Sequence, residues 1–230
     1  NKAVSSKSGA ADVLSCLGIK LDCEMALVSR ALDETGICFL MAPRHHSAMR
    51  HVGPVRVELG VRTIFNMLGP LANPALVKRI MVGVFAPELC VPFAHALANL
   101  GTTHAWVVHG ADGLDEVSTT GETKVAALAG GKVSEFTISP DDLGLATVPI
   151  SELRGGTPEE NAESLKAVLD GATGSYRDVV ILNAAAALVG GGHADNLQDA
   201  AARAEASIAE GKARAALDRL VAITNSGDAS

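Results

Sequence analysis

Short, almost continuous runs of apolar residues recur along the chain, and stretches with helical periodicity separate them. A strand without a polar face fits a sheet that is covered on both sides, as parallel sheets are. We therefore predict an α/β fold in which helices pack on both faces of a mostly parallel central sheet. The runs that predict buried strands are Ile37–Ala42, Ile80–Phe85, Ala105–His109 and Val179–Leu182.

Helix signals lie between and after these runs. Thr157-Pro158-Glu159-Glu160 combines a capping box with proline at the first helical position. Val125–Leu128 and Val133–Ile138 flank Gly130-Gly131, which predicts one antiparallel hairpin. The predicted helices are Glu24–Leu32, Glu88–Leu100, Thr157 to about Leu169, Asp195 to Gly211, and about Arg214–Ala222.

The overall charge limits the classes of partner. The chain of 230 residues has 19 Lys and Arg against 26 Asp and Glu, a formal net charge of -7, and only 3% aromatic residues. Proteins that bind nucleic acids usually present a basic face or a stacking platform, so we expect no nucleic-acid partner. The apolar stretches near Thr63–Val77 and Val179–Gly192 are interrupted and shorter than the ~20 residues of a membrane helix, so we expect no membrane span.

The four cysteines, at positions 16, 23, 38 and 90, have no C-x-x-C spacing. The absence of that spacing excludes the usual zinc-knuckle and thioredoxin-type motifs. A disulfide remains open, but reduced thiols in a cytoplasmic protein are the simpler interpretation.

Two segments carry residues suited to binding anions. Ser5-Ser6-Lys7-Ser8-Gly9 precedes a helical pattern, where free backbone N–H groups, hydroxyls and a cation suit a phosphate; an ordinary serine-rich helix cap is the alternative. The stretch Ala42–Arg56 contains three His and three Arg and follows a predicted strand. A guanidinium in such a loop can hold a carboxylate with two hydrogen bonds, and a solvated basic face is the alternative.

Two further segments follow predicted strands. Asp115 and Glu116 come after the His109-Gly110 strand end, and in a loop both carboxylates can face one hard cation such as Mg²⁺. Solvated surface charge is the more common role of such a pair. The small residues of Asn183–Leu188 predict a core helix, with Asn183 as its cap.

Taken together, these segments resemble the anthranilate phosphoribosyltransferases of tryptophan biosynthesis, in order from Asn1 to about Ala222. The stretches that carry the resemblance are NKAVSSKSGAADVL, APRHHSAMRHVGPVRVELGVRTIFNMLGPLANP, VVHGADGLDEVS, ELRGGTPEENA and DVVILNAAAALV. The resemblance implies transfer of a phosphoribosyl group from phosphoribosyl pyrophosphate (PRPP) to the amine of anthranilate, with Mg²⁺. It also implies a nucleoside phosphorylase/phosphoribosyltransferase-like C-terminal domain over residues 1–230, and a homodimer when full length.

The resemblance also implies roles for individual residues. Asp115 and Glu116 match the metal-binding pair, and Arg56 matches the arginine that receives the anthranilate carboxylate. No catalytic acid or base is assigned, because positioning and electrostatics can supply the rate. The residues implied in anthranilate binding are Asn1, Pro43, His46, Met49 and Arg56. The residues implied in PRPP binding are Asn1, Lys2, Ala3, Val4, Ser5, Ser6 and Ala10.

The chain departs from this family's pattern in places. The family's Gly-Thr-Gly-Gly-Asp pyrophosphate motif and the N-terminal helical segment on which its dimers pair would lie upstream of Asn1. Ala10 stands where serine is frequent, and Ala72 where threonine is. We therefore expect the 230-residue chain alone to bind PRPP poorly.

Three alternatives remain open at this point. A pyrimidine nucleoside phosphorylase would need a base pocket and phosphate as nucleophile. A non-catalytic relative would bind nucleic acid or a protein partner, against which the charge of -7 and the acidic pair argue. The chain as given could also be a structural remnant without activity.

Overall fold

The computed structural model of the protein describes residues 8–45, 58 and 64–228. They fall into two compact units that are interleaved in sequence. The first takes in described residues of Asn1–Arg62, Gly155–Ala172 and Ser207–Ser230, and the second those of Thr63–Arg154 and Thr173–Ala206. This division concerns where contacts are dense, and a single catalytic domain over residues 1–230 stays a prediction.

Helices make up most of the regular structure in the described residues. Short 3₁₀ helices accompany them at Pro87–Leu89, Pro140–Leu143, Ile150–Leu153 and Ser226–Asp228. The α-helices are α1 (Ala10–Cys16), α2 (Met25–Thr35), α3 (Ala42–His45), α4 (Phe65–Leu71), α5 (Cys90–Asn99), α6 (Pro158–Leu169), α7 (Ser175–Gly190), α8 (Leu197–Ala209) and α9 (Lys212–Asn225). No helix of the described residues is long and apolar enough to cross a membrane.

The second unit contains a sheet of four strands, which are adjacent in the order in which they occur in the chain. The first two are parallel, with Arg79 opposite His104, and the other two neighbouring pairs are antiparallel. The strands are β1 (Arg79–Gly83), β2 (His104–Gly110), β3 (Thr123–Ala129) and β4 (Lys132–Ile138).

Helices cover both faces of this sheet. Ala105 and Val107 of β2 belong to a core cluster that includes four residues of α5. The alternate residues Trp106 and Val108 belong to a second cluster, which includes Leu182 of α7. Since successive strand residues face opposite sides, α5 and α7 lie on opposite faces. The predicted α/β architecture is confirmed.

The predicted hairpin and helices are also confirmed. Gly130 and Gly131 have φ angles of 55° and 75°, which suit the tight turn between β3 and β4. At the start of α6, the Thr157 hydroxyl accepts a hydrogen bond from the Glu160 N–H at 3.3 Å, and the Glu160 carboxylate accepts one from the Thr157 N–H at 2.8 Å. The five predicted helices match α2, α5, α6, α8 and α9, with ends displaced by a few residues.

Three details of the predicted sheet are wrong. Among the described strands only β1 and β2 pair in parallel, so this sheet is not mostly parallel. Val179–Leu182 lies inside α7, because an apolar run in a buried helix has no period that separates it from a strand. Ile37–Ala42 is not a strand either: residues 37–41 have no regular structure, and Ala42 begins α3.

The first unit is helical in its described residues. Its buried hydrophobic cluster consists of Ile19, which lies between α1 and α2, Ala31 of α2, and Leu220 and Ile223 of α9. The amide of Asn225 donates hydrogen bonds to the carbonyls of Gly18 and Val221, at 2.9 and 2.8 Å, which joins the end of α9 to the turn after α1.

Candidate functional site

The parallel strands β1 and β2 end side by side, and buried hydrogen bonds fix their carboxyl ends. The Val84 N–H donates to the Val108 carbonyl at 3.0 Å. The buried His109 ring donates from Nδ1 to the Val84 carbonyl, with the two atoms 2.7 Å apart. Open α/β sheets bind ligands at this end of their parallel strands, which makes the following loop the first place to look for a site.

That loop, residues 111–122, carries the predicted metal-binding pair, Asp115 and Glu116. It begins with a tight turn in which the Gly113 N–H donates to the Gly110 carbonyl and the Gly110 N–H to the Leu114 carbonyl, both at 2.9 Å. The pair is therefore presented from a folded loop that starts where β2 ends.

The carboxylate of the exposed Asp112 organises this loop through three hydrogen bonds. Its Oδ2 accepts hydrogen bonds from the hydroxyls of Ser118 and Thr120, each at 2.5 Å, and its Oδ1 accepts one from the Leu114 N–H at 3.0 Å. Partial burial of the Asp112 carboxyl raises its pKa, but these donors outweigh that effect and leave the pKa lowered. The ionised form of Asp112 is thus the one that the loop is built around.

Asn183 of α7 holds the residue that follows the acidic pair. Its Oδ1 accepts a hydrogen bond from the Val117 N–H at 3.0 Å, while its Nδ2 donates to the Val117 carbonyl at 2.7 Å. Nδ2 also donates to the Val179 carbonyl at 2.9 Å. The prediction that Asn183 caps a helix is wrong, because the residue lies within α7; Ala185 and Ala186 of the same helix are buried, as predicted.

Gly83, the last residue of β1, lies directly against the backbone of Asp115. A β-carbon built on Gly83 would be 1.6 Å from the Asp115 carbonyl oxygen. Only glycine permits this approach, so β1 helps to set the position of the acidic pair.

The electrostatics of the pair suit a divalent cation. Both residues are exposed, yet partial burial of the Glu116 carboxyl group raises its pKa, and the carboxylate of Asp115 raises it further. A hard cation prefers such oxygen donors and would relieve the repulsion between them. In the described part of the chain, no three His, Cys, Asp or Glu side chains come together as a metal site, so a cation here would need further ligands from a substrate.

Of the other predicted site residues, only Ala10 and Pro43 are among the residues that the structure describes. Ala10 is the exposed first residue of α1, and Pro43 lies in α3. The predicted residues Asn1, Lys2, Ala3, Val4, Ser5, Ser6, His46, Met49 and Arg56 lie outside the described residues.

Three residues that shape this loop were not predicted from the sequence. Neither Gly83 nor Asp112 is among the predicted site residues, and Asn183 is predicted as a helix cap. A single Asn within the otherwise apolar run of α7 was the available signal, because a polar side chain in a buried helix needs a partner.

The chain matches known proteins along nearly its whole length. A model of the glycosyl transferase family, a/b domain, matches residues 1–214. The anthranilate phosphoribosyltransferase of Methylobacterium nodulans is 54% identical over 225 residues, which cover 98% of this chain and 67% of that protein.

Two solved structures are similar to the fold. The anthranilate phosphoribosyltransferase of Thermus thermophilus has a TM-score of 0.91 and 41% identity, and the match covers 98% of this chain and 67% of that one. The Saccharomyces cerevisiae anthranilate phosphoribosyltransferase in complex with PRPP and Mg has a TM-score of 0.86 and 30% identity, with 95% and 63% covered. The chain thus spans about two thirds of the length of the relatives it matches.

Proposed function

Because this chain belongs to the anthranilate phosphoribosyltransferases, we propose that its full-length protein transfers the phosphoribosyl group of PRPP to anthranilate. The products are phosphoribosyl anthranilate and pyrophosphate, as in tryptophan biosynthesis. The observation that carries the proposal is the exposed pair Asp115 and Glu116, held on an anchored loop where β1 and β2 end together.

Asp115 and Glu116 would hold Mg²⁺ together with oxygens of the substrate. The metal would neutralise negative charge that develops on the leaving pyrophosphate. Two carboxylates with no third protein ligand nearby among the described residues fit Mg²⁺, which usually keeps sites open for substrate phosphates and water.

The reaction exchanges one bond at C1 of the ribose for another. The amine nitrogen of anthranilate forms a bond to C1 while the bond from C1 to the pyrophosphate oxygen breaks, and the amine then gives one proton to water or to the released pyrophosphate. An aromatic amine is already a fair nucleophile, so the protein's main task is to bring the nitrogen and C1 together in line.

The substrate contacts are proposals that rest on the family resemblance. Arg56 would receive the anthranilate carboxylate, since a guanidinium and a carboxylate form two parallel hydrogen bonds. The side chains of Asn1, Pro43, His46 and Met49 would line the same substrate. PRPP would contact Asn1, Lys2, Ala3, Val4, Ser5, Ser6 and Ala10.

The cellular setting belongs to the same proposal. None of the four cysteines, Cys16, Cys23, Cys38 and Cys90, forms a disulfide, which fits a reducing compartment such as the cytoplasm. A homodimer of the full-length protein is carried over from the family.

The proposal is tested by following the loss of anthranilate fluorescence when PRPP and Mg²⁺ are added to the full-length protein. We expect loss with the parent, none when the metal is chelated, and a rate lower by at least about a hundredfold in Asp115→Asn and Glu116→Gln. Asp141→Asn is the matched control, because Asp141 also stands in an exposed acidic pair, with Asp142, in the same unit.

Two results would contradict the proposal. The first is a folded parent protein that leaves anthranilate unchanged. The second is release of ribose 1-phosphate from a pyrimidine nucleoside that depends on added phosphate, since that is the reaction of a phosphorylase.

A further inference from the structure

The contact between Asn183 and Val117 pairs a side-chain amide with a main chain that is 66 residues away in sequence. Both hydrogen-bonding groups of Val117 are engaged, its N–H by Oδ1 and its carbonyl by Nδ2 of the same carboxamide, at 3.0 and 2.7 Å. Val117 is 1% exposed, so water has little access to take over these bonds.

The pairing of Asn183 with Val117 lies next to the acidic pair in the chain, so it constrains the backbone of that pair. Val117 directly follows Glu116, and fixing its N–H fixes the peptide plane that joins the two residues. On the other side, Gly83 lies against the Asp115 carbonyl. The backbone of the acidic pair is therefore held from α7 and from β1 at once.

We propose that Asn183 is a positioning residue, whose carboxamide holds the main chain of Val117 so that Asp115 and Glu116 present their carboxylates to a divalent cation bound with PRPP. The inference rests on the proposed function of that pair. Asn183 itself needs no contact with the cation or the substrate. Groups that hydrogen-bond metal ligands directly commonly contribute about 10- to 100-fold to the affinity for the metal, and Asn183 acts on the residue next to such a ligand.

The first unit offers a matched comparison for this pairing. There the Oδ1 of Asn161 accepts a hydrogen bond from the Gly156 N–H at 2.8 Å, and its Nδ2 donates to the Gly156 carbonyl at 3.3 Å. Asn161→Ala removes the same kind of pairing as Asn183→Ala, from a loop that carries none of the residues proposed to bind metal.

The test measures Mn²⁺ binding to the full-length protein with PRPP present, from the electron paramagnetic resonance signal of free Mn²⁺. We expect Asn183→Ala to raise the Mn²⁺ concentration at half-saturation about 10- to 100-fold. In the fluorescence assay the half-saturating Mg²⁺ concentration should rise in parallel, while kcat at saturating Mg²⁺ stays within a few-fold of the parent value.

A merely structural role would reduce the fraction of folded protein without moving the cation midpoint. We expect this second pattern from Asn161→Ala. Parent-like half-saturation in folded Asn183→Ala would overturn the inference, and so would an equal shift in Asn161→Ala. If Asn183→Ala does not fold, Asn183→Ser serves instead, because one hydroxyl cannot bond both groups of Val117; a parent-like midpoint in that variant would also overturn it.

Failure of the proposed function gives a different result. A folded parent that binds no Mn²⁺ with PRPP, or binds it equally after Asp115→Asn, would remove the cation site itself. A parent that binds Mn²⁺ through Asp115 but is unaffected by Asn183→Ala would remove only the role of Asn183.

Discussion

A β-carbon on Gly83 would lie 1.6 Å from the carbonyl oxygen of Asp115 and 2.4 Å from its carbonyl carbon. The two residues belong to different segments, the end of β1 and the loop after β2, and their backbones touch because Gly83 has no side chain. The obstacle is main chain rather than a flexible side chain, so rotation of a side chain cannot relieve it.

Gly83→Ala should therefore displace the loop that carries the acidic pair. We expect the free energy of unfolding to fall by about 1–3 kcal/mol, the usual cost of forcing a methyl group into packed surroundings. Urea denaturation measures this change, and the Mg²⁺ titration of activity measures the accompanying rise in half-saturating concentration. Gly121→Ala is the control, because nothing lies within 4 Å of a β-carbon there. Equal stability of the two variants would contradict the prediction.

Arg56→Ala should weaken the binding of anthranilate and leave the binding of PRPP nearly unchanged. A paired guanidinium–carboxylate contact contributes about 1.5–3 kcal/mol, so KM for anthranilate should rise roughly 10- to 100-fold. Steady-state kinetics with each substrate varied in turn separates the two effects. Arg56→Lys keeps the charge and loses the two-bond geometry, and we expect an intermediate KM. A KM that rises only for PRPP would place the arginine elsewhere in the reaction.

The low pKa of Asp112 predicts a stability effect that depends on pH. Partial burial raises this pKa, but hydrogen bonds from Ser118, Thr120 and the Leu114 N–H lower it by more. The folded state therefore favours the ionised form of Asp112. The stabilisation is present above the pKa of the unfolded state, about 4, and is lost as the pH falls through the lower pKa of the folded state. Asp112→Asn should thus destabilise the protein most near neutral pH.

Urea denaturation at a series of pH values checks this prediction. The difference in the free energy of unfolding between parent and Asp112→Asn should shrink as the pH is lowered below about 4. A difference that stays constant from neutral pH downward would mean that Asp112 acts through its shape and not through its charge.

Local patterns in the sequence predicted the elements whose signals are local. The capping box at Thr157, the Gly130-Gly131 turn and the strands near Ile80 and Ala105 all appear where the sequence placed them. They depend on neighbours within a few residues, and those neighbours are visible in the sequence.

The predictions that were wrong or incomplete concern segments whose structure depends on contacts between residues distant in sequence. The apolar run Val179–Leu182 has the same composition as a buried strand, and only its continuation through Ala184–Ala187 extends it into the helix α7. Asp115 and Glu116 were identified from the resemblance, but the contacts of their loop with Gly83 and Asn183 link distant residues. No periodicity reports such contacts.

The sheet and the loop beside it differ in how far along the chain their partners lie. Neighbouring strands follow one another in sequence, from β1 to β4, so the sheet can assemble from short loop closures as the chain is synthesised. The loop after β2 cannot form its hydrogen bonds with Asn183 until that residue, 66 positions after Val117, has been synthesised. The acidic pair therefore gains its final anchor only when α7 packs on the sheet, and a nascent chain that ends before this helix would carry the sheet without the hydrogen bonds that hold the proposed metal-binding pair.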